Sequence, residues 1–116
     1  MFRYYQYGFL GLLKLIVDLF KTKLLFNKSR LIRFPIIIRG RRYIDFGSKL
    51  TTGVGCRIEA HENQNSKKSL IFGKNIQLND YVHITAMNNV VIGNNVLMAS
   101  KIYISDCSHG FYNGEE

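Results

Sequence analysis

The chain is poor in cysteine, proline and acidic residues, and each shortage excludes something. Its two cysteines, Cys56 and Cys107, stand at unrelated spacing among 116 residues. Neither a disulfide framework nor a zinc-ligand pattern follows from them, and a reducing cytosolic setting is expected. With a single proline and no low-complexity tract, the composition is ordinarily globular, 47% hydrophobic and 21% charged. That is enough for one small domain and not for two.

Acidic residues are scarcest at the start. Residues 1–43 hold ten Lys/Arg and only Asp18 on the acidic side, a net +9, whereas residues 44–116 sum to −1. The same third lacks a long uninterrupted apolar run: in "MFRYYQYGFLGLLKLIVDLFKTKLLFNKSRLIRFP" charges break the stretch of about 20 apolar residues that a spanning helix needs. Arg3 precedes an apolar stretch, as in a signal peptide, but no small-x-small cleavage site follows.

What is present there is helical periodicity. Leu10, Leu13, Val17, Phe20 and Leu24 share one face, and Gly11, Lys14, Asp18 and Lys21 form a narrow opposite one, with Lys14 and Asp18 as an i,i+4 pair. A wide apolar face beside Lys21, Lys23, Lys28, Arg30 and Arg33 suits an anionic membrane surface. A helix packed on its own domain or on another subunit fits the same pattern. Nucleic acid is disfavoured, because the basic residues are interleaved with large aliphatics and no nucleic-acid-binding motif accompanies them.

From residue 34 a different beat takes over. Aliphatic or aromatic residues at 46, 72, 78, 84, 92, 98 and 104, with Thr52 and Ile58, mark the starts of six-residue units in three groups of three. The second position is small or polar (Gly47, Gly53, Gly73, Asn79, Thr85, Gly93, Ala99), and the fifth is apolar (Leu50, Cys56, Ile76, Val82, Val96, Ile102). Neither a two-residue strand alternation nor a 3.6-residue helix yields this period, whereas the hexapeptide repeat of a parallel β-helix does. The expected fold is an all-β solenoid of about three triangular coils preceded by an amphipathic helix, with residues 1–33 helical and residues 34–116 forming the β-helix. First positions point inward, fifth positions fill corners, and small second positions tolerate tight geometry. Successive coils are 26 and 20 residues apart rather than 18, so loops are expected near "HENQNSKK" and "MNNV".

The phrases "IRFPIIIRG", "TTGVGCRIEA", "IGNNVLMASKIYISD" and above all "NDYVHITAMNNVVIG" resemble the hexapeptide-repeat acyltransferases from about residue 31 onward. The likeness is greatest to the sugar O-acetyltransferases of bacterial O-antigen and capsule biosynthesis. It implies a left-handed β-helix, against the usual right-handed crossover, and acetyl transfer from acetyl-CoA to a sugar hydroxyl in lipopolysaccharide or other polysaccharide biosynthesis. It further implies a homotrimer with sites between subunits and no required metal. Such chemistry needs a base near neutrality, which suits histidine.

By this resemblance His109, in "SDCSHGFYNG", matches the catalytic histidine, and Asn79 matches an asparagine that contacts the acceptor. His83 is expected to point outward, where it either lines a site between subunits or decorates a face. Asp80 and Asp106 either bind sugar hydroxyls, orient a histidine or cap turns. His61 reads as a loop residue. Where close relatives have Asp-His-x-His-Gly this chain has "DCSHG", with Cys107 in place of the first histidine. Family members usually continue for several coils that build most of the acetyl-CoA groove, so the chain reads as the N-terminal portion of a longer enzyme. The basic N-terminus is expected to hold such an enzyme peripherally at the inner membrane surface. An inactive truncated fragment or scaffold subunit without the acetyl-CoA-binding coils is the other reading.

Overall fold

A computed structural model describes residues 2–63 and 67–106, with side chains from residue 8 onward. It opens with helix α1 (Phe2–Leu25) and continues as eleven short strands. These are β1 (Leu31–Ile32), β2 (Ile36–Arg39), β3 (Ile44–Asp45), β4 (Thr51–Thr52), β5 (Cys56–Ala60), β6 (Leu70–Phe72), β7 (Gln77–Leu78), β8 (His83–Ala86), β9 (Val90–Ile92), β10 (Leu97–Met98) and β11 (Tyr103–Ser105), with a 3-10 turn at Arg41–Tyr43.

The strands form three parallel sheets that the chain visits in rotation. The first is ordered β1-β4-β7-β10, the second β2-β5-β8-β11 and the third β3-β6-β9. Pairing brings residues of like repeat position into register: Ile32, Thr52, Leu78 and Met98 in the first sheet, Ile38, Ile58, Ile84 and Ile104 in the second, and Phe72 with Ile92 in the third. These columns carry the core. Ile32, Ile58, Ile84, Leu78 and Phe72 are buried, as are the fifth-position residues Leu50, Cys56, Ile76 and Val82.

The two expected loops fall where the strand spacing lengthens. Residues 61–69 link β5 to β6, and residues 87–89 link β8 to β9. The sheets also begin earlier than the repeat count implied. Strand β1 lies at Leu31–Ile32, inside the stretch expected to be helical, and β1 and β2 pair with β4 and β5. Ile32 and Ile38 keep the six-residue step, but eight residues then separate Ile38 from Phe46, and Pro35 and the Arg41–Tyr43 turn obscure the beat.

The corners separate two roles that the repeat pattern merged. The left-handed backbone conformation sits mainly at the fourth position, at Lys49, Asn75 and Asn95 in one column and Gly55, Tyr81 and Lys101 in the other, with φ between 59° and 73°. The second position is small chiefly because the neighbouring turn leaves no room. A Cβ on Gly53 would lie 2.7 Å from the backbone nitrogen of Asp80, and one on Gly73 would lie 2.9 Å from the carbonyl carbon of Gly93.

Helix α1 covers the start of the first sheet with its polar side. Thr22 Oγ1 accepts the Ile32 N–H at 2.9 Å and donates to the Asp18 carbonyl at 2.6 Å. Lys14 Nζ meets Asp18 Oδ2 at 2.7 Å and also donates to the Phe34 carbonyl. Beyond the helix, Phe26 packs edge-on against Phe46 at 5.2 Å, and Phe46 stacks on Phe72. Arg41 lies over the Phe26 ring and donates to the Leu25 carbonyl, which satisfies an end group the helix leaves open.

Candidate functional site

The outer face of the second sheet gathers titratable side chains. Parallel register sets Arg57, His83 and Tyr103 in one column, and Arg39, Glu59, Thr85 and Ser105 in the next. Because side chains alternate along a strand, both columns lie on the face opposite the isoleucines.

Glu59 is the hub, with its side chain only 11% exposed. Its Oε2 meets Arg57 Nε at 2.8 Å and Arg39 Nε at 3.7 Å, and its Oε1 accepts from Thr85 Oγ1 at 3.1 Å. His83 Nε2 lies 3.4 Å from that same oxygen and 2.9 Å from Thr85 Oγ1. One arrangement satisfies all three groups: the Thr85 hydroxyl donates to Glu59 and accepts from His83 Nε2–H. It leaves the lone pair of Nδ1 for another proton. The Tyr103 ring lies 4.7 Å from the imidazole, tilted by 48°.

Asp106 follows β11 on the same sheet. Its carboxylate accepts backbone N–H groups of Met87, Asn88 and Asn89 at 2.6, 2.8 and 2.6 Å, so it caps the β8–β9 loop. Asn79 and Asp80 sit elsewhere, at the corner between the first and second sheets. There they line a cavity of 150 Å³ with Arg33, Gly53 and Ser100, and Asp80 Oδ1 accepts the Val54 N–H at 2.9 Å. Of the residues singled out in the sequence, His83 and Asp106 thus share a sheet, and Asn79 and Asp80 share a corner. His61 lies in the β5–β6 loop, exposed. His109 and Cys107 lie outside the described residues. Among the described residues no cluster of three or more His, Cys, Asp or Glu side chains is placed to hold a metal ion.

Arg57, Glu59 and Thr85 were not foreseen as site residues. They meet only because strands 26 residues apart in sequence come into register. The available signal was that each stands one place from Ile58 or Ile84 in its repeat.

Burial and hydrogen bonding act in opposite directions on the protonation of these groups. For Glu59 and Asp106 desolvation alone would raise the pKa. Hydrogen bonds from Arg57, His83 and Thr85 to Glu59, and from the loop N–H groups to Asp106, outweigh it and hold both carboxyls below their ordinary values. Burial pushes the Cys56 thiol up, which keeps it protonated and unreactive. A folded pKa below the unfolded one contributes stability that is complete above the unfolded value and lost as pH falls through the folded one. The window therefore opens near the ordinary values of 4.5 for Glu59 and 3.8 for Asp106 and extends downward. Thermal denaturation at stepped pH is expected to show the wild type losing stability within that window, as pH falls, more steeply than Glu59→Gln or Asp106→Asn. Parallel profiles would remove both carboxylates from the account.

A sheet face carrying a histidine, a carboxylate, a hydroxyl and a tyrosine can hold polyhydroxy compounds and move protons. Comparison with known proteins finds similarity to an O-acetyl transferase. A curated protein to which the chain is similar is "Putative lipopolysaccharide biosynthesis O-acetyl transferase WbbJ" of Escherichia coli (strain K12), 39% identical over 107 residues. The match takes in 92% of this chain and 53% of the relative, so the chain spans about half the relative's length. No family model and no solved structure matches the chain. The relative bears out the resemblance to the O-acetyltransferases of O-antigen biosynthesis.

Proposed function

We propose that the protein is an O-acetyltransferase that moves an acetyl group from acetyl-CoA to a sugar hydroxyl during bacterial surface polysaccharide synthesis, and that its three sheets form a left-handed parallel β-helix. The similarity to the Escherichia coli O-acetyl transferase over nearly the whole chain carries this reading. The in-register parallel sheets agree with it.

In the proposed reaction His109 accepts the proton of the acceptor hydroxyl as its oxygen bonds to the thioester carbonyl carbon. The carbonyl opens to an oxyanion, which backbone N–H groups can stabilise. Its collapse breaks the C–S bond, the thiolate of CoA leaves, and the imidazolium returns the proton to it. Asp106 is a positioning residue in this scheme: anchored on residues 87–89, it holds the point from which the chain continues toward His109. Asn79 and Asp80 at their corner and His83 on its sheet lie on the acceptor side. Glu59 orients His83 through Thr85. Three copies around a common axis would place such sites between subunits.

Calorimetry with acetyl-CoA, followed by transfer of labelled acetyl to an O-antigen oligosaccharide, tests the reading. Saturable binding is expected, and ligand at 100 times its Kd should stabilise the chain by about 2.7 kcal/mol. A folded chain that neither binds acetyl-CoA nor transfers acetyl would overturn it.

A further inference from the structure

Helix α1 is mounted the opposite way round from an ordinary amphipathic helix. Its domain-facing side carries Asp18 and Thr22, 3% and 1% exposed; Asp18 accepts from Lys14, which also donates to the Phe34 carbonyl, and Thr22 accepts the Ile32 N–H. At 100° per residue, Phe9, Leu12, Leu13, Ile16, Phe20 and Leu24 fall within an arc of about 120° on the far side. All six are 45–71% exposed. Between Phe9 and Leu24 only Lys23 interrupts the arc, in the last turn, where a long side chain can carry its charge aside.

An exposed apolar stripe of this size needs a partner. The polar side already fastens the helix to the sheets, so the rest of the domain is not that partner. Charge decides between the remaining occupants. The segment of residues 1–43 has a net charge of +9, and Lys21, Lys28, Arg30 and Arg33 lie exposed along or just after the helix. A second copy would bring the same positive excess against it, whereas anionic lipid headgroups complement it. Among the described residues no helix is long and apolar enough to cross a membrane. A helix of 24 residues, about 36 Å long, can instead lie in the plane of the interface.

We propose that α1 is a membrane-surface anchor that lies in an anionic bilayer with its Phe9–Leu24 stripe in the acyl boundary, held to the sheets by the Lys14–Asp18–Thr22 seam. The proposal goes beyond the acetyl-transfer reading and stands independently of it. In it, the polar seam joins the sheets to the membrane-bound helix. Binding acts through surface lipids alone and weakens with salt.

Co-sedimentation of the full 116-residue chain with phosphatidylcholine vesicles, with and without phosphatidylglycerol, tests it. The wild type is expected in the pellet with the anionic vesicles and released from them by salt. Phe20→Glu should weaken partition at least tenfold, from the loss of about 1.5–3 kcal/mol of apolar burial. The Lys21→Glu/Lys23→Glu double variant should lose about tenfold or more on anionic vesicles and little on neutral ones. Both variants alter exposed side chains, and circular dichroism checks that each is folded. A wild type left in the supernatant, or Phe20→Glu binding as tightly as wild type, overturns the proposal. So does sedimentation velocity showing an oligomer that Phe20→Glu dissociates, with no vesicle binding, since the stripe would then be a contact between copies.

Discussion

Ile84→Ala is expected to destabilise the domain by about 2–5 kcal/mol, read from urea denaturation. Ile84 has no exposed surface and lies in register between Ile58 and Ile104 in the second sheet. Truncation leaves a cavity bounded above and below by other isoleucines on β-ladders, whose backbones cannot close over it without breaking hydrogen bonds. Leu97→Ala is the internal control. That side chain is 66% exposed on β10, and its loss should cost within about 0.5 kcal/mol. A loss below about 1 kcal/mol at Ile84 would mean that the isoleucine column is not the core of the domain.

His109→Ala should lower the rate of acetyl transfer by a factor of about 10²–10⁴ with acetyl-CoA binding unchanged, the signature of a lost general base. His83→Ala should have a smaller effect, seen mainly in the KM for the acceptor, because Thr85 and Glu59 hold His83 in place. The reverse result would move the base to the second sheet. In that case Nδ1 of His83, the nitrogen not engaged by Thr85, becomes the proton acceptor, and Glu59→Gln should shift the pH profile of kcat. Steady-state kinetics on the three variants separate the two outcomes.

Much of the backbone was legible because repetition is a one-dimensional signal. Phe72, Leu78 and Ile84 announce their columns by spacing, and the register of the sheets puts them there. The beat is hidden before Phe46 because the Arg41–Tyr43 turn lengthens the step from Ile38 to eight residues, which cuts Ile32 and Ile38 off from the later units and leaves β1 inside the stretch that reads as helical. The amphipathic pattern of α1 was also correct as a pattern. Its orientation was not readable, since only the bonds from Thr22 and Lys14 to the sheets reveal that the narrow polar side faces in. The hub at Glu59 was illegible for a different reason. An outward glutamate in a strand looks like any solvated charge until parallel pairing sets Thr85 beside it and His83 one place away. Asp80 and Asp106 could be read either as sugar ligands or as caps, and both carboxylates accept backbone N–H groups.

The connection between β5 and β6 has a consequence for how this architecture can vary. Residues 61–69 lengthen one circuit of the chain, yet β6 still pairs with β3 and β9, and β8 with β5, with no slip in register. The ladders count alignment along the stack and take no account of how far the chain wanders between strands, and the entropy of a longer excursion grows only logarithmically. Corners of this kind are therefore grafting points. New sequence can be admitted there and trimmed again while every sheet keeps its register.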